Sequence, residues 1–200
     1  MNLTTTTTAV VRIQEEQLSA LQARVRGQVI TPENALYDEA RQAFNRLVDQ
    51  HPALILIAAS AEDVAEGVRF ARSQGLGVAI QSTGHGVILP ADNALMIITA
   101  QLRDLLVDAS SGTAHVGAGL KWGEVLAETQ KFGLAPLLGS SPGVGVVGYT
   151  LGGGLGWLGR KHGLACDSVL SFELVSADGQ VLTASATENT DLFWGLRGGG

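Results

Sequence analysis

His85 lies between Gly84 and Gly86, at the end of the run VAIQSTGHG (residues 78–86). An imidazole can act as a ligand, a proton carrier or a nucleophile. Glycines on both sides let the main chain come very close to a partner. Ser82 and Thr83 add two hydroxyls just ahead of it, and Gln81 closes the apolar run before them. A second stretch, GSSPGVGVVGYTLGGGLG (139–156), contains Ser140, Ser141, Pro142, Gly143, Val144, Gly145, Gly148, Tyr149, Gly153 and Gly154. Loops of this composition turn successive N–H groups toward an anion and leave no Cβ atom in the way of a flat ligand. Ten of the 26 glycines fall between Gly139 and Gly163, more than tight turns alone require. The excess points to a large planar group as well as a phosphate.

Three other patterns fail on their chemistry. GSSPG (139–143) has the form of a nucleophile elbow, but the residue after the serine is Pro142. A proline has no N–H to offer an oxyanion. GVGVVG (143–148) has the spacing of a dinucleotide fingerprint, with Asp167 further on. That fingerprint needs a strand before it and a helix after it. Here a turn precedes, and the glycines that follow argue against a helix. The histidines at 51, 85, 115 and 162 lack the i, i+3 or i, i+4 spacing of a metal site, so no metal is expected.

The totals narrow the classes. With 46% hydrophobic and 16% charged residues the chain is globular. A net charge of −6 and the lack of a basic stripe argue against nucleic acid and against an anionic membrane surface. Cys166 is the one cysteine, so no disulfide framework is expected, and a reducing cytoplasm fits. The longest apolar run, 53–59, is far too short to span a bilayer. The chain stops in RGGG, a poor place to end a fold, and is expected to be the front of a longer protein.

The elements that must position these residues follow from periodicity. Residues 1–10 read as frayed. Val11, Leu18, Leu21 and Val25 make one face of a helix over 11–26, and Ala40, Phe44, Leu47 and Val48 the inward face of a second over 38–49. Residues 53–58 form a buried strand. Ser60 and Asp63 have the form of a capping box for a helix that runs to Gln74 and ends at Gly75. Residues 77–81 form the next strand, expected as a parallel neighbour of the first. Residues 94–99 form another. Hairpins are expected over 105–117 and 169–185, the second turning at Asp178-Gly179. Between them lies a helix with Trp122, Val125 and Leu126 on one side. A last short helix is capped by Asn189 or Thr190. This divides the chain into an N-terminal extension, 1–44, and a domain, 45–200, with lobes at about 50–100 and 105–200.

Four stretches in order carry a family resemblance: HPALILIAASAEDVAEGVRFAR, VAIQSTGHG, GSSPGVGVVGYTLGGGLGWLGRKHGLACDSV, and an ADG turn followed by ENTDLFWGLRGGG. Residues 45–200 resemble the FAD-binding domain of the vanillyl-alcohol oxidase and p-cresol methylhydroxylase superfamily, and are most similar to its berberine bridge enzyme-like branch. The resemblance implies a mixed α/β (α+β) fold, a p-cresol methylhydroxylase-type FAD-binding domain of two α/β lobes, with the C-terminal substrate domain absent. It implies FAD as cofactor, gripped by the residues of both glycine loops named above. In this branch the histidine at the position of His85 commonly bonds to the flavin 8α-methyl. Some members add a cysteine at the position of Ser141. A hydroxyl is a poorer nucleophile than a thiol, so one link is expected. Two departures from many relatives stand out: Gln81 replaces a basic residue, and Thr83 replaces a glycine.

The implied reaction is hydride transfer from a small-molecule C–H or alcohol substrate to the flavin, with O2 as acceptor. The catalytic base is expected beyond Gly200, and no residue here is assigned that role. The alternatives are a dehydrogenase with non-covalent FAD and a nucleotide-binding module without redox activity. Tyr149, inside the second loop, is read mainly as a packing residue, and Cys166 as a small buried one. Oligomeric state is not legible.

Overall fold

The computed structural model describes residues 13–86 and 89–200. The stretch expected to be frayed, 1–10, and Val11 lie outside them. Helix α1 (Glu15–Arg24) carries Glu15 and Glu16 in its first turn and Arg24 in its last, the arrangement a helix dipole favours. Strand β1 (Gln28–Ile30), helix α2 (Tyr37–Ala40), strand β2 (Leu54–Ile57), helix α3 (Ala61–Gln74), strand β3 (Val78–Gln81) and strand β4 (Leu95–Ile98) follow.

The four strands form one sheet in the order β1-β2-β4-β3. β2 and β3 are both parallel to β4, and β1 is antiparallel to β2. The two inner strands read LILI and LMII and are almost wholly buried. Leu54, Leu56, Leu95 and Ile97 face α1 and α3. Ile55, Met96 and Ile98 face Tyr37 and Ala91 on the opposite side. Strands covered on both faces need an unbroken apolar run, which these two have.

Three expectations change here. β2 and β3 are parallel but not neighbours, because the more apolar β4 takes the place between them and leaves β3, with Val78 and Ile80 exposed, at the edge. The short strand β1 had no signal in its three residues. The helix expected over 38–49 covers only Tyr37–Ala40. Beyond it, Asn45 accepts the Leu47 N–H on its side chain, a local turn that competes with helix. Phe44 and Leu47, expected inward, point to solvent, while Ala43 and Gln50 are buried instead.

The second half begins with the hairpin β5 (Leu105–Asp108) and β6 (Thr113–Val116), then helix α4 (Trp122–Thr129). Short helices α5 (Val146–Leu151) and α6 (Gly159–His162) bracket the glycine run. Helix was not expected in that run. α5 forms because its one glycine, Gly148, is flanked by residues that pack, with Val146 joining Leu120, Trp122 and Val125 in a core. The hairpin β7 (Ser171–Val175) and β8 (Val181–Ser185) turns at Asp178-Gly179 as expected, and packs on α3. Helix α7 (Thr190–Leu196) closes the chain. Asn189 precedes it, but its side chain donates to the Thr183 carbonyl rather than capping the helix.

Ser60 caps α3 by accepting the Asp63 N–H. The Asp63 carboxylate does more than complete a capping box. It is 1% exposed and accepts the main-chain N–H groups of Arg26, Gly27 and Ala59, each at 2.8 Å. It thereby ties the entry of β1 to the corner between β2 and α3. Asp63→Ala leaves three main-chain donors without their acceptor. Denaturant unfolding should show a loss of about 3 kcal/mol. A loss within the range of a surface substitution, about 0.5 kcal/mol, would show that the tie is unimportant.

Candidate functional site

Both glycine loops reach one place, the C-terminal end of the parallel strands, where ligands of open α/β sheets commonly bind. Ser82–Gly86 leaves the end of β3. The second loop is pinned beside it by main-chain bonds to the start of α4: Trp122 N donates to the Val144 carbonyl at 3.0 Å, Gly123 N to Pro142 at 2.9 Å, and Val146 N to Leu120 at 3.0 Å. The loops then touch. A Cβ placed on Gly145 would lie 3.3 Å from Thr83 Cγ2 and 3.5 Å from Ser82 Oγ. Ser82 Oγ and Thr99 Oγ1 both donate to the Ala118 carbonyl, at 2.9 and 3.4 Å, which locks the first loop to the segment before α4.

The main-chain N–H groups of Ser82, Thr83, Gly84, His85 and Gly86 meet no acceptor among the described residues. The same holds for Ser140, Ser141, Gly143 and Gly145. Two adjacent loops that both present free donors suit an extended polyanion such as a diphosphate. Ser82 and Thr83 are half-buried, and His85, Gly86, Ser140, Ser141, Pro142 and Gly148 are exposed. Val144 is half-buried and Gly145 buried, at the contact itself.

Gly84 is buried with φ +71°, and a Cβ there would lie 2.9 Å from the main-chain nitrogen of Phe44. The first loop therefore leans on the 41–50 segment. Gln81 braces it from below. Its Nε2 donates to the Gln42 carbonyl at 3.0 Å, and its Oε1 accepts from Gln50 Nε2 at 3.0 Å. Gln50, 2% exposed, also donates to the Arg41 carbonyl at 2.7 Å and accepts the Ala91 N–H at 3.3 Å. Gln81 is thus buried, with its side-chain amide committed to the neighbouring segment. His85 stacks on Phe44, with ring centroids 3.8 Å apart and planes at 24°. Sequence reasoning missed Phe44, Gln42 and Gln50 because the helix periodicity assigned that stretch elsewhere. The pre-proline position of His51 was the available warning against a helix running so far.

The second loop has an internal core. Tyr149 meets Trp122 edge-on at 5.6 Å. Gly139, Gly154 and Gly156 all lie against its ring, where a Cβ would come within 3.1, 2.7 and 3.2 Å of Tyr149 atoms. Gly153 lies beneath Leu164. Three of the ten glycines of this run thus let the chain wrap a tyrosine. Burial raises the Tyr149 pKa above its usual value, so the phenol stays protonated. Its hydroxyl has no partner among the described residues, and neither has Trp122 Nε1.

Residues 52–185 match the family described as FAD binding domain. Over 178 residues the chain is 35% identical to (R)-6-hydroxynicotine oxidase of Paenarthrobacter nicotinovorans, a match that covers 88% of this chain and 39% of that protein. The crystal structure of 6-hydroxy-D-nicotine oxidase from Arthrobacter nicotinovorans aligns with a TM-score of 0.83 at 35% identity, over 87% of this chain and 39% of that one. Glucooligosaccharide oxidase from Acremonium strictum, with a 6-S-cysteinyl, 8α-N1-histidyl FAD, aligns with a TM-score of 0.83 at 31% identity, over 92% and 39%. The chain therefore spans about two fifths of the length of these relatives.

The packing of Tyr149 separates its ring from its hydroxyl. Tyr149→Phe should leave stability within about 0.5 kcal/mol or raise it, since an unpaired buried hydroxyl is lost. Tyr149→Ala should cost about 3 kcal/mol, because three turns of chain lose the surface they wrap. Denaturant midpoints measure both. Equal losses in the two variants would assign the hydroxyl a partner.

Proposed function

As the chain belongs to the FAD-binding-domain family of FAD-linked oxidoreductases, we propose that it grips FAD in an enzyme that oxidises a small molecule. In this reading a flavin linked through His85 would supply the acceptor for hydride from a C–H or alcohol carbon of the substrate, with O2 as the final acceptor. The observation that carries it is the contact of Gly145 with Ser82 and Thr83, which brings two sets of free main-chain donors together.

The residues fit this cofactor. Main-chain N–H groups of 82–86 and of 140, 141, 143 and 145 would hold the diphosphate. Gly145, lacking a Cβ, keeps the cradle narrow enough for both loops to act on one group. The flavin, when bound, supplies the electron-accepting ring; the chain supplies grip, orientation and electrostatics. His85 is exposed at the loop tip and free of hydrogen bonds among the described residues, so a ring nitrogen is available for bonding. Ser141 gives a hydroxyl where a second, thiol-based link would need a cysteine, and Cys166 is buried at 3% exposure. One link is therefore the expected number.

A small organic substrate is in keeping with the oxidases that the chain resembles. Among the described residues no helix is long and apolar enough to cross a membrane. A cytoplasmic location stays the expectation for a chain whose one cysteine is a buried thiol.

Acid denaturation of the full-length holoenzyme, followed by filtration, tests the link. The yellow colour should stay with the protein, and His85→Ala should release it into the filtrate. Hydrogen peroxide should form in step with substrate oxidation. Complete release of flavin from the wild type would remove the link, and a colourless purified protein would remove the oxidoreductase reading.

A further inference from the structure

We propose that Phe44 is a positioning residue that holds the His85 imidazole in the orientation needed for its bond to the flavin. The inference rests on the proposed link through His85, and adds to it a residue from a different part of the chain. Phe44 is 66% exposed, so the core gains little from its ring. Its ring nevertheless lies flat on His85, with centroids 3.8 Å apart and planes at 24°. A large aromatic side chain held in solvent against one imidazole stabilises that imidazole's orientation far more than it stabilises the fold.

The need for such a brace follows from the loop. His85 stands between two glycines, and Gly86 is exposed. Glycine neighbours add backbone freedom, and an unbraced histidine would sample several rotamers. Bond formation requires the reacting atoms to be held about 3–3.5 Å apart and aligned. The stack removes much of that freedom before the cofactor arrives.

Phe44 is itself well anchored. Gly84 packs against the main chain of Ala43 and Phe44. The amides of Gln50 and Gln81 tie the 41–50 segment to the start of the loop, and Gln50 also accepts the Ala91 N–H at its end. The segment that bears Phe44 and the loop that bears His85 are therefore tied to each other. The bond to be formed joins an imidazole nitrogen to the 8α carbon. One C–H bond and one N–H bond break, and two electrons with two protons pass finally to dioxygen as hydrogen peroxide.

The test uses the full-length protein, with apoprotein reconstituted by added FAD. Two variants, Phe44→Leu and Phe44→Tyr, are compared with wild type. The first readout is the rate at which flavin becomes resistant to acid release. Phe44→Leu should slow it about 3- to 10-fold, the factor an aromatic pair represents. Phe44→Tyr should restore it. The second readout is the ring-proton resonances of His85 in the apoprotein, assigned by comparison with His85→Gln. They should carry a ring-current shift in wild type and Phe44→Tyr that is lost in Phe44→Leu. Retained native flavin absorbance in Phe44→Leu shows that the cradle is intact. Equal attachment rates in wild type and Phe44→Leu would overturn the positioning role while leaving the link standing. Free release of flavin from acid-treated wild type would overturn the link and, with it, the role assigned to Phe44.

Discussion

The site depends on the close approach of two main-chain segments. Gly145 has no Cβ, and so the second glycine loop can lie directly on Ser82 and Thr83. Without that approach the two sets of main-chain donors would face separate patches of solvent. The approach is held from behind by the N–H groups at the start of α4, which donate to Pro142 and Val144, and by Val146 N–H, which donates to the Leu120 carbonyl. It is held from the side by the Ala118 carbonyl, which takes the hydroxyls of Ser82 and Thr99. A hairpin-helix unit and a mostly parallel sheet, folded from separate stretches of chain, thus meet at a main-chain seam.

The local elements were mostly legible, because each is written in a few adjacent residues. The apolar runs at 54–57 and 95–98, the Ser60 cap, the Gly75 stop and the Asp178-Gly179 turn all stand where the pattern put them. What the pattern could not supply was order across the sheet. β4 separates β2 from β3, a choice made by burial of the whole sheet rather than by the loop between them. The stretch from 41 to 50 was misread for a related reason. Its helical spacing of apolar residues is real, yet Ala43 packs on Gly84 and Phe44 on His85, contacts with residues some forty positions away.

The glycine run shows how one composition can serve two purposes. Gly145 lies at the seam between loops, whereas Gly139, Gly154 and Gly156 close around Tyr149. The sequence alone does not separate these uses, because a ring belonging to the protein and a ring belonging to a ligand make the same demand for a bare backbone. The tyrosine's position within the loop was the available clue.

The two buried amides have a direction. Gln50 gives its N–H groups to Arg41 and Gln81 and takes one from Ala91, while Gln81 gives to Gln42 and takes from Gln50. Neither can be rotated end for end without setting donor against donor. A side chain at position 81 without an acceptor, such as lysine, would leave one Gln50 N–H without its present partner. The two amides are therefore a matched pair, each supplying the partner that the other needs.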